Sequence, residues 1–183
     1  LINPSKVYAD DSYSAGTANA EGITAGMAGT AEENSVSIGS YFANNDSVSI
    51  GNYASSNNES LSILTVAVSN NTSIAIGDSS DANNNSISIG SGSDANDYSV
   101  AIGISSNSCS DSIAIGRAAR SCGSSTAIGY QAAASISCGV SKSVAIGYQA
   151  VTTGNSSTVI GSNSYAAYGS NQTVLGSNSY AYA

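Results

Sequence analysis

Five copies of one phrase follow each other through the middle of the chain: SIAIG at residues 73–77, SISIG at 86–90, SVAIG at 99–103, SIAIG at 112–116 and STAIG at 125–129. Each copy ends on a glycine, and the interval from one of these glycines to the next is constant. A fixed short period, here about 13 residues, indicates one structural unit stacked on copies of itself. Such a unit is too short for the helical hairpin of a helical repeat, but it is long enough for one coil of a β-solenoid.

Further copies of the phrase extend the pattern in both directions, ending at Gly26, Gly39, Gly51, Gly147, Gly161 and Gly176. The sequence therefore predicts an all-β chain, a parallel β-solenoid of about 11 or 12 coils of about 13 residues, with the coils stacked about 4.8 Å apart. We assign residues 22–183 to this repeat domain. Residues 1–21 lack the phrase and are expected to form an extended segment that either caps the first coil or lies at a junction with a neighbouring chain.

The alternation of side chains along a strand divides the phrase between two faces. The residues one and three positions before each glycine are mostly Val and Ile, and we expect them to fill the interior of the coils. The small residue two positions before the glycine then points outwards. An outward column of Ala and Val is best explained by burial against another subunit. The predicted subunit interface is Ala101, Ala114, Ala127, Ala145, Val159 and Val174.

These repeats resemble those of a known family. SVAIG phrases at intervals of about 13 to 15 residues, together with AIGYQA at 127–132 and 145–150, are similar to the YadA-like head of bacterial trimeric autotransporter adhesins. Related repeats occur in viral and phage fibres. The resemblance covers residues 22–183, and it implies a left-handed β-roll that trimerises side by side and binds surfaces.

Composition argues against several classes of function. The chain has no histidine, so it lacks the Ser-His and Cys-His pairs of common hydrolases, and we expect no enzyme, no cofactor and no metal site. The net charge is −8, with all 12 acidic residues at or before Asp111 and only three basic residues after it. Such an acidic chain is not expected to bind nucleic acid. No apolar stretch approaches the roughly 18 residues that a membrane-spanning helix needs, so no membrane insertion is expected.

Cysteines and aspartates recur at the repeat spacing. Cys109 and Cys122 lie one repeat apart, so their Cα atoms should be about 4.8 Å apart, which fits either a disulfide across coils or two stacked thiols. Cys138 has no partner by this spacing and could bridge subunits. Asp81 and Asp94 share one coil position and should stack as neighbours.

Asparagines precede the phrase in many coils and create N-x-S/T sequons. Five of these asparagines occupy one coil position, six before the repeat glycine, and they would form either a glycan stripe in a glycosylating host or a solvated asparagine ladder. They are Asn45, Asn58, Asn71, Asn84 and Asn155.

Two stretches depart from the period. SLSILTVAVS at 60–69 has Leu64 where a glycine is expected, so Leu64, Val66 and Val68 need cover, either in a local bulge or against a subunit. The interval from Gly129 to Gly147 is longer than one repeat by about five residues, which predicts a wider coil or a small surface loop.

Two hypotheses of function follow. The first is a non-enzymatic extracellular structural protein, a β-solenoid subunit that assembles into a surface fibre or appendage. The alternative is the cell- or matrix-binding head of a trimeric adhesin or viral fibre. Both place the chain outside the cell or on a cell or virion surface, and both make a homo-oligomer its partner. That homo-oligomer would be a lateral trimer, a head-to-tail filament or both, with a host or matrix surface as a further partner.

Overall fold

The computed structural model describes residues 17–18, 22–25, 29–134, 142–167 and 170–182. These residues form 25 short strands, and the strands alternate between two sheets along the chain. The even sheet has 12 strands and carries the repeat phrase. Its strands are β2 (Ile23–Ala25), β4 (Val36–Ile38), β6 (Val48–Ile50), β8 (Leu61–Ile63), β10 (Ile74–Ile76), β12 (Ile87–Ile89), β14 (Val100–Ile102), β16 (Ile113–Ile115), β18 (Thr126–Ile128), β20 (Val144–Ile146), β22 (Thr158–Ile160) and β24 (Thr173–Leu175).

The odd sheet has 13 strands and forms the opposite side of the coils. Its strands are β1 (Thr17–Ala18), β3 (Thr30–Ala31), β5 (Phe42–Asn44), β7 (Ser55–Asn57), β9 (Val68–Asn70), β11 (Asp81–Asn83), β13 (Asp94–Asn96), β15 (Asn107–Cys109), β17 (Arg120–Cys122), β19 (Ala133–Ala134), β21 (Val151–Thr152), β23 (Tyr165–Ala167) and β25 (Tyr180–Tyr182).

All neighbouring strands in both sheets are parallel, and their register follows the sequence repeat. Ile74 of β10 pairs with Ile87 of β12, and Asp81 of β11 pairs with Asp94 of β13. One coil is therefore two strands of up to three residues joined by two tight turns. This confirms the predicted parallel β-solenoid, in which each coil takes up one copy of the repeat.

The predicted orientation of the two faces is wrong. The small residue in the middle of each phrase is buried, whereas the flanking Val and Ile side chains lie on the outer face of the even sheet, half-buried or exposed. The predicted interface column is thus inside the chain's own coils, with Ala101, Ala114, Ala127, Ala145 and Val159 at 0% exposed and Val174 at 5%.

The reason for this orientation is the narrow interior of the coil. Each three-residue strand points only its middle side chain inwards, and the two sheets lie close together. The hydroxyl oxygens of Ser62 in β8 and Ser69 in β9 meet across the interior at 2.7 Å. Serine and alanine fit into such a space, whereas a pair of opposed isoleucines does not. The core is therefore made mainly of alanine and serine side chains, with Thr152, Val159 and Val174 as its larger members near the C-terminal end.

Buried serines at the start of the phrase connect one coil to the next. The hydroxyl of Ser73 accepts a hydrogen bond from the backbone N–H of Ser86 at 3.1 Å and donates one to the carbonyl of Asn71 at 3.2 Å. The same pattern joins Ser47 to Ser60 and Ser60 to Ser73. A hydroxyl at this position satisfies a backbone donor that the sheet ladder leaves without a partner.

The phrase glycines allow the coils to approach closely at one turn. Gly90 has a φ of +135°, and a Cβ atom there would lie 2.5 Å from the carbonyl oxygen of Gly103. Leu64 takes the same place with a φ of +87°, and strand β8 still pairs with β6 and β10 in register. The coil therefore continues without a burying bulge, because Leu64 is 53% exposed and Val66 is 44% exposed.

Two predictions fall partly or wholly outside the described residues. Strand β1 lies within the segment 1–21 and pairs with β3, so strand pairing extends into this segment. The other residues of the segment lie outside the described ranges. The extra residues between Gly129 and Gly147 fall at 135–141, also outside them. The strands on either side, β18 and β20, pair in register.

Candidate assembly and binding surfaces

The outer face of the even sheet is a continuous apolar surface. Two columns of side chains cover it, one on each side of the buried central residue. The first column runs Val36, Val48, Leu61, Ile74, Ile87, Val100 and Ile113, followed by Thr126, Val144, Thr158 and Thr173. The second runs Ile38, Ile50, Ile63, Ile76, Ile89, Ile102, Ile115, Ile128, Ile146, Ile160 and Leu175.

No charged residue interrupts these two columns. Single side chains in them remain well exposed: Ile113 is 38%, Ile115 36% and Ile160 43% exposed. An uninterrupted apolar surface of this kind marks a contact site rather than a solvated face. We call these two columns the apolar face. It replaces the column of Ala and Val as the candidate subunit interface.

From β7 to β17 the outer face of the odd sheet is mostly polar, and it carries a ladder of asparagine side chains. Asn70 donates from its amide to the amide oxygen of Asn83 at 2.8 Å, and Asn83 does the same to Asn96 at 3.1 Å. Cys109 and Cys122 continue this column, because Cys109 pairs with Asn96 in the adjacent strand. Stacked amides thus satisfy each other along the rod axis.

The predicted sequon column forms a second asparagine ladder at the following turn. Asn45 donates to Asn58 at 2.6 Å, Asn58 to Asn71 at 2.8 Å and Asn71 to Asn84 at 2.8 Å, and Asn84 donates to the carboxylate of Asp97 at 2.7 Å. Residues at this turn have φ values near +57°, which asparagine tolerates better than most residues.

The structure places Asn155 at an exposed position of the same turn in a later coil. Glycosylation of any of these asparagines stays a prediction. Ladder asparagines on adjacent coils touch each other, so two neighbouring asparagines have little room for two glycans.

Cys109 and Cys122 form a disulfide between adjacent coils. Their Cα atoms are 4.8 Å apart, at the spacing that the repeat predicts. The disulfide links strands β15 and β17 directly across the register. Cys138 lies outside the described residues.

Asp81 and Asp94 stack as the spacing predicts. Asp94 accepts hydrogen bonds from the side-chain amides of Asn96 and Asn107, the latter at 3.2 Å. Burial raises the pKa of Asp94 above its ordinary value of 3.8, and the neighbouring Asp81 carboxylate raises it further, while the bond from Asn96 opposes the shift. The pair is a source of repulsion within the odd sheet.

No described group of three or more His, Cys, Asp or Glu side chains is placed to hold a metal ion. In the same ranges, no helix is long and apolar enough to cross a membrane.

Sequence reasoning missed a cluster of aromatic and basic side chains on three successive turns. The rings of Tyr130 and Tyr148 stack with centroids 5.1 Å apart, and the guanidinium of Arg117 lies 4.6 Å from the Tyr130 centroid. Beside them, the amide of Gln149 donates to Gln131 at 2.8 Å. The two AIGYQA copies were the available signal, because one coil position repeated in successive coils places identical residues side by side.

Comparisons with known proteins agree with this architecture. The family described as the YadA head domain repeat matches residues 141–164 in two copies. Among solved structures, the crystal structure of the collagen-binding domain of the Yersinia adhesin YadA is similar, with 27% sequence identity and a TM-score of 0.51. That similarity covers 72% of this chain and 68% of the other. No curated protein sequence matches the chain. The chain therefore carries YadA-like head repeats, folded as a parallel β-solenoid.

Proposed function

We propose that this chain is the binding head of a surface-exposed, non-enzymatic adhesin that assembles from several copies and binds a collagen-like matrix protein. The apolar face carries this proposal, because a solenoid that exposes two long columns of mainly Val and Ile, with no charged residue in them, needs a partner along its length. The similarity to a collagen-binding adhesin domain supports the choice of ligand.

A second copy of the same chain fits the apolar face better than an unrelated partner does. The columns repeat at the coil spacing, which is 4.8 Å between the Cα atoms of Cys109 and Cys122. Another copy has the same spacing, so side chains from the two chains interdigitate in every coil. Closed association of copies hides the apolar face and leaves the odd sheet towards solvent. The resemblance to trimeric adhesins makes three the expected number of copies.

Assembly is tested by placing one charge on each side of the coil. Ile113→Lys puts an ammonium on the apolar face, and Val68→Lys is the matched control on the outer face of the odd sheet. We expect wild type and Val68→Lys to have the same multiple of the chain mass in sedimentation velocity, and Ile113→Lys to dissociate. A wild-type monomer at every concentration, or equal behaviour of the two variants, would refute the assembly.

Collagen binding needs a separate test. Wild-type protein and Ile113→Lys are applied to surfaces coated with type I collagen or with albumin. We expect wild type to be retained on collagen alone, and retention to fall in the variant because assembly multiplies weak contacts. Intact assembly without collagen retention would reject the ligand.

The division of charge favours a structural fibre as the second candidate. Residues up to Asp111 carry 12 acids against Lys6, and later residues carry three bases and no acid. Stacking of one chain's start on another's end would place the negative half of one chain nearer to the basic residues of the other than to its acidic half, and it would form an open filament. Electron microscopy distinguishes the two candidates, since the fibre requires filaments and the head requires discrete particles.

A further inference from the structure

A shallow groove lies beside the stacked tyrosines, at the corner between the turns and the odd sheet. Ala118, Arg120, Gln131 and Ala133 line it. The two alanines create the groove, because Ala133 lies beside the longer Arg120 and Ala118 beside the longer Gln131 on the adjacent coil. Arg120 and Ala133 are outer residues of β17 and β19, so the groove opens away from the apolar face. It therefore stays accessible when copies assemble through that face.

This corner is also where positive charge gathers. Of the three basic residues in the described ranges, Arg120 lines the groove and Arg117 lies on the adjacent turn. In the outer column of the odd sheet that contains Arg120, the nearest acidic side chain is Asp94, two coils away. Arg117 covers the face of Tyr130, which leaves the N–H edge of its guanidinium available to an anion. Tyr148 is 51% exposed and ends the stack.

We propose that this corner binds an acidic polysaccharide. The free face of Tyr148, at the end of the stack, can accept the apolar face of a sugar ring, and guanidinium groups bind sulfate or carboxylate oxygens through paired N–H donors. The Gln131 and Gln149 amides lie alongside the stack and can bond sugar hydroxyls. A polymer that runs along the rod axis meets these groups on successive coils.

The paired arginines favour this ligand over a collagen-like peptide. A polyproline-type chain also packs on aromatic rings but carries carbonyl groups rather than a line of negative charges. In the described part of the chain, no other turn combines stacked aromatic rings with a guanidinium.

The test measures heparin binding by isothermal titration at several salt concentrations, with neutral dextran as the uncharged probe. Variants are Arg120→Gln and Tyr148→Ala, with Lys142→Gln and Tyr53→Ala as matched controls elsewhere on the surface. We expect heparin affinity to fall about tenfold in Arg120→Gln and several-fold in Tyr148→Ala, with a shallower salt dependence in the arginine variant. The controls should bind like wild type, and dextran should not bind.

Two results would overturn the proposal: unchanged heparin affinity in both Arg120→Gln and Tyr148→Ala, or an equal loss of affinity in Lys142→Gln. Circular dichroism verifies that each variant is folded. Because heparin is measured without collagen, a failure here is distinguishable from a failure of the adhesin proposal.

Discussion

Serine inside each coil acts as a connector between coils. Ser73 is 1% exposed, and its hydroxyl serves as acceptor for the backbone of one coil and donor within its own. Alanine has the same volume to within one atom but cannot accept the hydrogen bond. The serines at the start of the phrase are therefore buried to serve backbone donors, not exposed to solvent.

Ser73→Ala tests that role. The change leaves the N–H of Ser86 buried without its acceptor, so we expect a loss of about 1–3 kcal/mol in the free energy of unfolding. Ser91→Ala is the control, because Ser91 is exposed on a turn. Thermal unfolding followed by circular dichroism measures both, and equal melting temperatures for the two variants would contradict the connector role.

Asp94 makes stability depend on pH in an unusual direction for a carboxylate. Its pKa is raised in the folded chain, so the folded state binds the proton more tightly than the unfolded state does. The free energy of unfolding therefore rises as the pH falls through the raised pKa of Asp94, and this gain is complete below the ordinary value of 3.8.

Asp94→Asn should raise the melting temperature at pH 7, because it removes the charge that burial and Asp81 disfavour. The gap from wild type should close as the pH falls through the raised pKa. Asp78→Asn, at an exposed turn, is the control for loss of one negative charge. A lower melting temperature for Asp94→Asn at pH 7 would show that its bonds from Asn96 and Asn107 outweigh the repulsion.

At the scale of the coil, the turn after the phrase imposes left-handed backbone angles on whichever residue occupies it. Val66 has a φ of +56°, and the equivalent Asn163 and Asn178 both have +52°. A β-branched residue is an outlier in that region, whereas asparagine visits it readily. Val66 is thus more strained than the asparagines at the equivalent position of the later coils.

Val66→Asn should relieve this strain and stabilise the chain by roughly 1 kcal/mol, which corresponds to about 2–4 °C in melting temperature. Val66→Thr keeps the branched Cβ and should give no gain. The comparison of the two melting curves decides the point, and an equal gain would assign the effect to polarity instead.

The period predicted the coil, the strand positions and the register, because all three depend only on spacing. The pairs Cys109 with Cys122 and Asp81 with Asp94 follow from it directly. Alternation could not decide which face is inside, since it separates two sets of residues without ranking them. The usual preference for buried Val and Ile failed because interior volume, which depends on the distance between two sheets, was unknown from the sequence. The stacking of Tyr130 on Tyr148 likewise depends on the geometry of the turns, which the period alone does not define.

For the whole molecule, the placement of Val and Ile on the outside separates folding from assembly. The fold is held by backbone ladders, serine and asparagine bonds and small-residue packing, while the Val and Ile columns lie outside the coils and stay partly exposed. These columns remain for contact between chains. The head-to-tail filament stays a prediction, since its proposed junction in residues 1–21 lies largely outside the described ranges.

Temperature should therefore affect the assembly of the chains and the fold of each chain differently. The free-energy gain from removing apolar surface from water becomes smaller on cooling, and this removal carries a large negative heat-capacity change. We expect copies joined through the apolar face to associate with a negative heat-capacity change and to separate more readily in the cold than at room temperature. Sedimentation velocity at both temperatures, with circular dichroism to follow the strands, measures this. Assembly that tightens in the cold would contradict it. In an assembly of this kind, cold weakens the contacts between chains, while the strand ladders within each chain stay intact.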